Sequence, residues 1–299
     1  MWNWSRSKSQ GALQRCFGEY VLEEYLGGGQ FTKVYLARSF LAKPSYGRTA
    51  AVKILNLKAA KHNQGRLIKQ FEREATIAMG FDHPNVVKVH NFGRCGDTYA
   101  IIMEYVEGTN LKEILFQREK LPLSTLLRIL SDAAKGLAHI HSCGVVHKDV
   151  KPDNILVSRD LRVVKFTDFG IAMPARRFGM RDLFPKAGTV SRWGAISYVS
   201  PEQEQGAADQ RSDIYSFGVT IDEVIVSKLA VSGQSDAEDY FARIDRRAQR
   251  KNAGRQKILA ADLPVPDLLK DLIVRCTMPQ PERRFQTIDE VATILDSLR

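Results

Sequence analysis

The sequence predicts an α+β fold in which a sheet-rich part precedes a helix-rich part, and three observations carry that prediction. From residue 20, YVLEEYLGGGQFTKVYLARSF holds two β-rich runs around a glycine-rich turn, and TAAVKIL at 49–55 makes a third. From residue 65 to 79 the apolar side chains Leu67, Ile68, Phe71, Ala75 and Ala78 recur at steps of three and four, which is the stripe of one helix carrying Glu72 and Glu74. Beyond Gly108 helical periodicity takes over, most clearly over residues 124–141, where Leu126, Leu127, Leu130, Ala134, Leu137 and Ile140 line one face and Ser124 is placed to cap it.

The remaining elements follow in order. Residues 1–18 mix Trp2 and Trp4 with Ser, Arg, Lys and Gln without a period and read as a tail. The run 20–55 makes an antiparallel meander. His83 and Pro84 end the first helix, and two further strands are expected at 85–92 and 98–106, separated by a turn through Gly93 and Gly96. Helices are expected near 211–227, 238–250, 265–276 and 287–298. No internal repeat and no long linker interrupts the chain, so the two parts are expected to pack with a crevice in which a ligand sits.

Composition narrows the class. The 299 residues, 44% hydrophobic and 26% charged, are those of an ordinary globular chain, long enough for one large domain or two lobes. No stretch approaches the roughly 20 apolar residues of a membrane span, and the opening MWNWSRSKSQ lacks a signal peptide's apolar run, so a cytoplasmic protein is expected. The four cysteines, Cys16, Cys95, Cys143 and Cys276, are scattered and read as reduced thiols. A net charge of +10 suits an anionic ligand or partner without choosing among them. Arg243, Arg246, Arg247, Arg250, Lys251, Arg255 and Lys257 form one basic cluster over 243–257, either a solvated helix face or a dock for an acidic partner. Arg176, Arg177, Arg181, Lys186 and Arg192 form another. No nucleic-acid-binding motif accompanies either, so sequence-specific nucleic-acid binding is not expected.

Four short segments carry chemistry. Gly27-Gly28-Gly29 lies between two strands, where glycine lets main-chain N–H groups approach phosphate oxygens, or merely closes a hairpin. Lys53 sits among apolar strand residues and needs either an anion or an exposed edge; Glu74 is the candidate anion. The segment 147–154, HKDVKPDN, sets Asp149 and Asn154 five residues apart with Lys151 between them and Pro152 stiffening the loop. Phosphoryl transfer asks for those types: a carboxylate to take a hydroxyl proton, a cation to offset charge on the moving group, and oxygen ligands for Mg²⁺. Asp168, in TDFG after the strand-like 163–166, is a further metal ligand, although D-F-G alone also reads as a polar turn.

Taken in order, these segments resemble the protein kinase superfamily, specifically the bacterial eukaryotic-like (Hanks-type) Ser/Thr kinases, over about residues 20–298. MEYV at 103–106, SPE at 200–202, SDIYSFG at 212–218 and the 281–285 segment with Arg284 extend the resemblance. It implies a bilobal protein-kinase-like fold, with a five-stranded antiparallel sheet and one helix in an N-lobe at 19–104 and a mostly helical C-lobe at 105–299. It implies an ATP-dependent transfer of the γ-phosphoryl group to protein Ser or Thr hydroxyls, with autophosphorylation. Lys53 and Glu74 then form the ion pair that positions the α- and β-phosphates, Asp149 is the catalytic base, and Lys151 touches the γ-phosphate. Asn154 and Asp168 bind Mg²⁺, or Mn²⁺ in its place. Leu26, Gly27, Gly29, Val34 and Ala51 cover the nucleotide, Met103 is the gatekeeper, and Glu104 to Val106 form the hinge that reads adenine. Glu202, Asp213 and Arg284 brace a platform for the protein substrate. The segment from Asp168 to Glu202 is the activation loop, whose second basic cluster makes Thr189 or Ser191 the expected autophosphorylation site.

Three positions depart from the family pattern: Thr32 replaces the third glycine of the nucleotide loop, Lys148 the arginine beside the catalytic aspartate, and Ala195 a threonine that faces it. Two other readings stay open at this point. One is a pseudokinase that holds ATP without transfer. The other is a small-molecule kinase of the aminoglycoside type, against which Glu202, Asp213 and Arg284 speak.

Overall fold

The computed structural model describes residues 16–57, 64–96, 98–117, 121–170, 172–174, 198–229 and 264–299. The helix expected at 238–250, both basic clusters, Thr189, Ser191 and Ala195 lie outside these residues, as does the tail up to residue 15. The described chain divides into two compact units. One comprises the residues up to His83 together with Val87–Val106 and Asp168–Gly170; the other comprises Pro84–Val86, Glu107–Thr167 and the residues from 171 onward.

The β-rich runs of the first unit form β2 (Tyr20–Gly28), β3 (Thr32–Ser39) and β4 (Thr49–Leu55), followed by α1 (Gln64–Ala78), β5 (Val89–Cys95) and β6 (Thr98–Glu104). These are the five expected antiparallel strands, in the order β2-β3-β4-β6-β5. A two-residue strand, β1 (Cys16–Phe17), adds to the outer edge against β2. Both residues of β1 fall within the tail expected over 1–18, but the Phe17 ring is buried with Tyr20, Ala37, Ala50, Val52, Ile54, Ala100 and Ile102, and burial of an aromatic ring outweighs a weak local pattern. Two register shifts in β2, at Leu22/Glu24 and at Tyr25/Gly27, bend the strand before its glycines. α1 buries Phe71, Ala75 and Ala78 as its stripe required, and Glu74 with them.

In the second unit β7 (Gly108–Asn110) leads into α2 (Leu111–Phe116) and α3 (Leu123–Ser142), after which β9 (Ile155–Ser158) and β10 (Val164–Phe166) pair with it in the order β10-β9-β7. A further pair joins β8 (Val145–Val146) to β11 (Met173–Pro174). Among the described residues four further helices follow: α4 (Pro201–Glu204), α5 (Gln210–Leu229), α6 (Asp267–Cys276) and α7 (Ile288–Ser297). α3 buries the stripe read from the sequence, but Ser124 does not cap it. The Pro122 carbonyl accepts the first bond, from Leu126 N–H at 3.1 Å, and proline suits that end because no N–H is wanted there.

The strand expected at 85–92 starts instead at Val89. Asn85 is committed to β10, accepting from Phe166 N–H at 2.9 Å and donating its amide to the Val164 carbonyl at 2.9 Å, while Val86 bridges to Phe166. Asn85 also presses against α3. A Cβ on Gly136 would lie 2.3 Å from the Asn85 carbonyl oxygen, closer than van der Waals contact allows. Gly136→Ala is therefore expected to lower stability by about 1–3 kcal/mol in chemical denaturation, although alanine is the better helix former in isolation.

Candidate active site

In the first unit, β4 places Lys53 opposite Val34 on one side and Ile101 on the other, in the middle of the sheet. The side chain is buried, and its Nζ lies 2.5 Å from Glu74 Oε1 and 3.2 Å from Asp168 Oδ1. Burial works against the ammonium, but the charges of Asp168 and Glu74 outweigh it and raise the Lys53 pKa. Burial pushes the Glu74 carboxyl upward, and the neighbouring Lys53 ammonium opposes that shift. Asp168 is about half exposed and adopts a left-handed backbone, φ 65°. The Phe169 N–H donates to the Glu74 carboxylate.

The glycine turn lies at the end of β2. Gly28 has φ 157°, and a Cβ there would meet the Thr32 carbonyl oxygen at 2.3 Å, so the turn excludes a side chain at that position. The Gly29 N–H closes it onto the same oxygen at 3.0 Å. Thr32 itself opens β3 opposite Leu55, and among the described non-glycine residues only Lys148, Leu161 and Asp168 have positive φ, so threonine meets no backbone strain in place of the third glycine. Val34 pairs with Gly27 and Lys53, and Ala51 with Leu36 and Met103, while Leu26 is exposed. Glu104 spends its N–H on the Lys88 carbonyl at 2.9 Å and a carboxylate oxygen on the Lys88 N–H at 2.6 Å.

In the second unit the loop from His147 to Asn154 is built around Asp213 of α5. This carboxylate is fully buried and accepts from His147 N–H (2.7 Å), Lys148 N–H (2.7 Å) and the His141 ring (2.8 Å). Turning two consecutive N–H groups toward one carboxylate puts Lys148 in the left-handed region, φ 70°, and its carbonyl is held by the Gln203 amide at 2.9 Å. The Lys148 side chain is itself buried. His147 Nδ1 accepts the Asp149 N–H at 3.2 Å, which leaves its proton on Nε2, facing the Thr167 carbonyl at 3.4 Å.

Asp149 is thereby presented with Lys151 Nζ 2.7 Å from Oδ2, and the Asn154 amide donates to the same oxygen at 2.9 Å and to the Asp149 carbonyl at 2.7 Å. A 3₁₀ turn, Pro152–Asn154, sets the reach of Asn154, whose carbonyl accepts from the Thr167 N–H at 3.0 Å, one residue before Asp168. With the Asn154 nitrogen spent on Asp149, its amide oxygen is the atom left for a cation. Asp168 in the first unit and Asn154 in the second each carry a hard oxygen of the kind a divalent cation takes. No cluster of three His, Cys, Asp or Glu side chains able to hold a metal occurs among the described residues.

The platform residues also come together. Arg284 Nη1 and Nη2 meet Glu202 Oε1 and Oε2 at 2.7 and 2.8 Å, and its remaining donors reach the carbonyls of Arg211, Met278 and Pro279 at 2.7–3.0 Å. Ser212 Oγ donates to the same Glu202 at 2.6 Å. Three participants escaped the sequence reading: His141 on Asp213, Gln203 on Lys148, and Gln70 of α1, whose amide donates to the Gly170 carbonyl at 2.9 Å.

A lysine bridging two carboxylates beside a glycine turn, and a carboxylate dressed by a lysine and an asparagine, define a nucleotide-dependent phosphotransferase. The protein kinase domain family matches residues 20–294, and the chain belongs to that family, within it to the Hanks-type bacterial Ser/Thr kinases. It is 32% identical over 279 residues to the serine/threonine-protein kinase PrkC of Bacillus subtilis, covering 93% of this chain and 40% of that protein. It is 32% identical to PknB of Mycobacterium tuberculosis, covering 91% of this chain and 41% of that protein. The chain thus spans about two fifths of the length of these relatives. The Mycobacterium tuberculosis PknI kinase domain shares its fold, with TM-score 0.66 and 23% identity over 97% of this chain and all of that one. This family implies ATP and a divalent metal. Among the described residues no helix is long and apolar enough to cross a membrane.

The Glu202–Arg284 pair makes a pH-dependent contribution that can be measured. Burial opposes the Glu202 charge, but hydrogen bonds from Arg284, Ser212 and Ser200 outweigh it and bring its carboxyl from an ordinary 4.5 down to about 2. The folded form therefore gains about 3 kcal/mol from this group above pH 4.5, and loses it as the pH falls toward 2. In denaturation titrations wild type is expected to exceed Glu202→Gln by its widest margin above pH 4.5, with the gap closing toward pH 2.

Proposed function

We propose that this chain is the catalytic unit of an ATP-dependent Ser/Thr protein kinase, transferring the γ-phosphoryl group to hydroxyls of protein substrates and to itself. The observation that carries the reading is the dressing of Asp149: Lys151 and Asn154 both bind Oδ2, so one carboxylate is oriented and flanked by a cation where a hydroxyl proton and phosphoryl charge must be handled together. Asp149 accepts the proton of the substrate hydroxyl and Lys151 offsets charge on the moving group. Lys53, fixed by Glu74, would hold the α- and β-phosphates, and the Gly27–Gly29 turn would cover the nucleotide. Leu26, Val34, Ala51, Met103 and the segment through Glu104 and Val106 enclose the base. Asp168 and Asn154 would hold Mg²⁺, or Mn²⁺, and the bound ion would offset phosphate charge.

The pseudokinase reading is not favoured, since every charged residue the transfer needs is present and paired as transfer requires. Cytoplasmic placement of this catalytic unit fits its use of ATP and the free thiols of Cys143 and Cys276. The basic segment 243–257 serves as a dock for an acidic partner, and Thr189 or Ser191 receives the phosphate in autophosphorylation, beside Arg181, Lys186 and Arg192.

The test is transfer of labelled phosphate from Mg-ATP to the protein itself and to a generic basic protein. Asp149→Asn is expected to lower the rate by about 10²-fold or more with ATP binding retained; undiminished label would sink the assignment. Mass spectrometry of wild type after incubation with Mg-ATP is expected to find phosphate on Thr189 or Ser191 and none in the Asp149→Asn protein.

A further inference from the structure

α1 turns two polar side chains toward the Asp168–Gly170 segment, one helical turn apart. Glu74 receives the Phe169 N–H, and its Oε2 lies in ordinary van der Waals reach of Gly170, 3.5 Å from where a Cβ would stand. Gln70, four residues earlier on the same face, donates its amide to the Gly170 carbonyl at 2.9 Å. Inside the segment, the Gly170 N–H bonds back to Asp168 Oδ1 at 3.3 Å, the oxygen that also meets Lys53. The helix therefore grips the chain through an N–H at residue 169 and a C=O at residue 170, directly after a non-glycine residue with φ 65°. Such a backbone is disfavoured by roughly 1–2 kcal/mol unless its surroundings hold it. Lys53 holds the Asp168 side chain but not the peptide units that follow, and the two α1 contacts hold those.

Gln70 is exposed, so core packing does not account for its place. We infer that Gln70 is a positioning residue: by fixing the Gly170 carbonyl to α1 it couples the placement of that helix to the backbone of Asp168, and so to the readiness of the Asp168 carboxylate for a divalent cation. The inference rests on the reading of Asp168 as a metal ligand. Displacement of α1 would break the Lys53–Glu74, Glu74–Phe169 and Gln70–Gly170 contacts together, which makes metal affinity a report of helix position. A neutral donor suits the site, because an acidic side chain would face a carbonyl oxygen beside two carboxylates.

The test measures binding of ADP to purified protein with and without Mg²⁺, so that no transfer step is involved, alongside thermal midpoints. Gln70→Met keeps the length without the donor, Gln70→Glu keeps the shape with acceptors only, and Gln70→Lys restores a donor. Mg²⁺-dependent tightening of ADP binding is expected to fall about 3- to 10-fold in the Met and Glu variants, the yield of one lost hydrogen bond. Metal-free affinity and thermal midpoint are expected to stay at wild-type values, with Gln70→Lys recovering most of the loss. Wild-type tightening in Gln70→Met and Gln70→Glu, with tightening lost in Asp168→Asn, would overturn the role of Gln70 and leave the reading of Asp168 intact. Tightening retained in Asp168→Asn would overturn that reading and the inference with it. Equal loss of thermal stability in all three Gln70 variants would reduce the contact to a structural one and overturn the inference.

Discussion

The carboxylate of Asp213 is the constraint around which the second unit is organised. It lies on a helix with no solvent contact and is satisfied by two successive main-chain N–H groups and a histidine ring. A buried carboxylate deprived of such donors would cost several kcal/mol, so the loop must keep the conformation that supplies them. That conformation includes a left-handed lysine at 148, and it delivers Asp149 to the side of the chain where Lys151 and Asn154 reach it. The direction in which Asp149 points is thus set by a residue 64 positions later that never touches its side chain.

The same logic recurs at Lys53 and at Arg284. Each is a cation placed where water does not reach, and each is matched to carboxylates: Glu74 and Asp168 in one case, both oxygens of Glu202 in the other. Replacing such pairs by apolar residues is often neutral for stability, whereas removing one partner is not. Their value here is geometric. Lys53 ties a strand, a helix and the 168–170 segment of the first unit to one point, and Arg284 ties the start of α4 to the chain before α7.

Much of this was legible in the sequence where a local pattern and the tertiary demand agree. The β4 run TAAVKIL fell on its expected residues, and α3 buried the predicted leucine stripe. Lys53 among apolar neighbours announced its need for an anion, and Glu74 was the anion found. What could not be read involves bonds to main-chain atoms brought near only by folding. Gln70 and Gln203 each satisfy a carbonyl remote in sequence, at Gly170 and Lys148, and nothing in the local pattern marks a glutamine for that. Asn85 and Val86 look like the start of a strand, yet their partners lie about 80 residues on, at Val164 and Phe166. Phe17 was missed because a single buried ring gives no periodicity. The expectation for Ser124 failed because proline, which lacks the N–H, offers a second way to start a helix.

The left-handed backbone at Asp168 narrows what can replace it. Most side chains would be strained at φ 65°; glycine and asparagine would not, and asparagine preserves the size of the side chain and one carbonyl oxygen. Aspartate and asparagine codons differ by a single base. A lineage could therefore shed the charge at this position in one step while the fold, the glycine turn and the Asp213-centred loop stayed as they are. On the proposed role of Asp168 as a metal ligand, the route from an enzyme of this architecture to a folded protein without transfer includes a one-base step that the backbone at residue 168 accommodates.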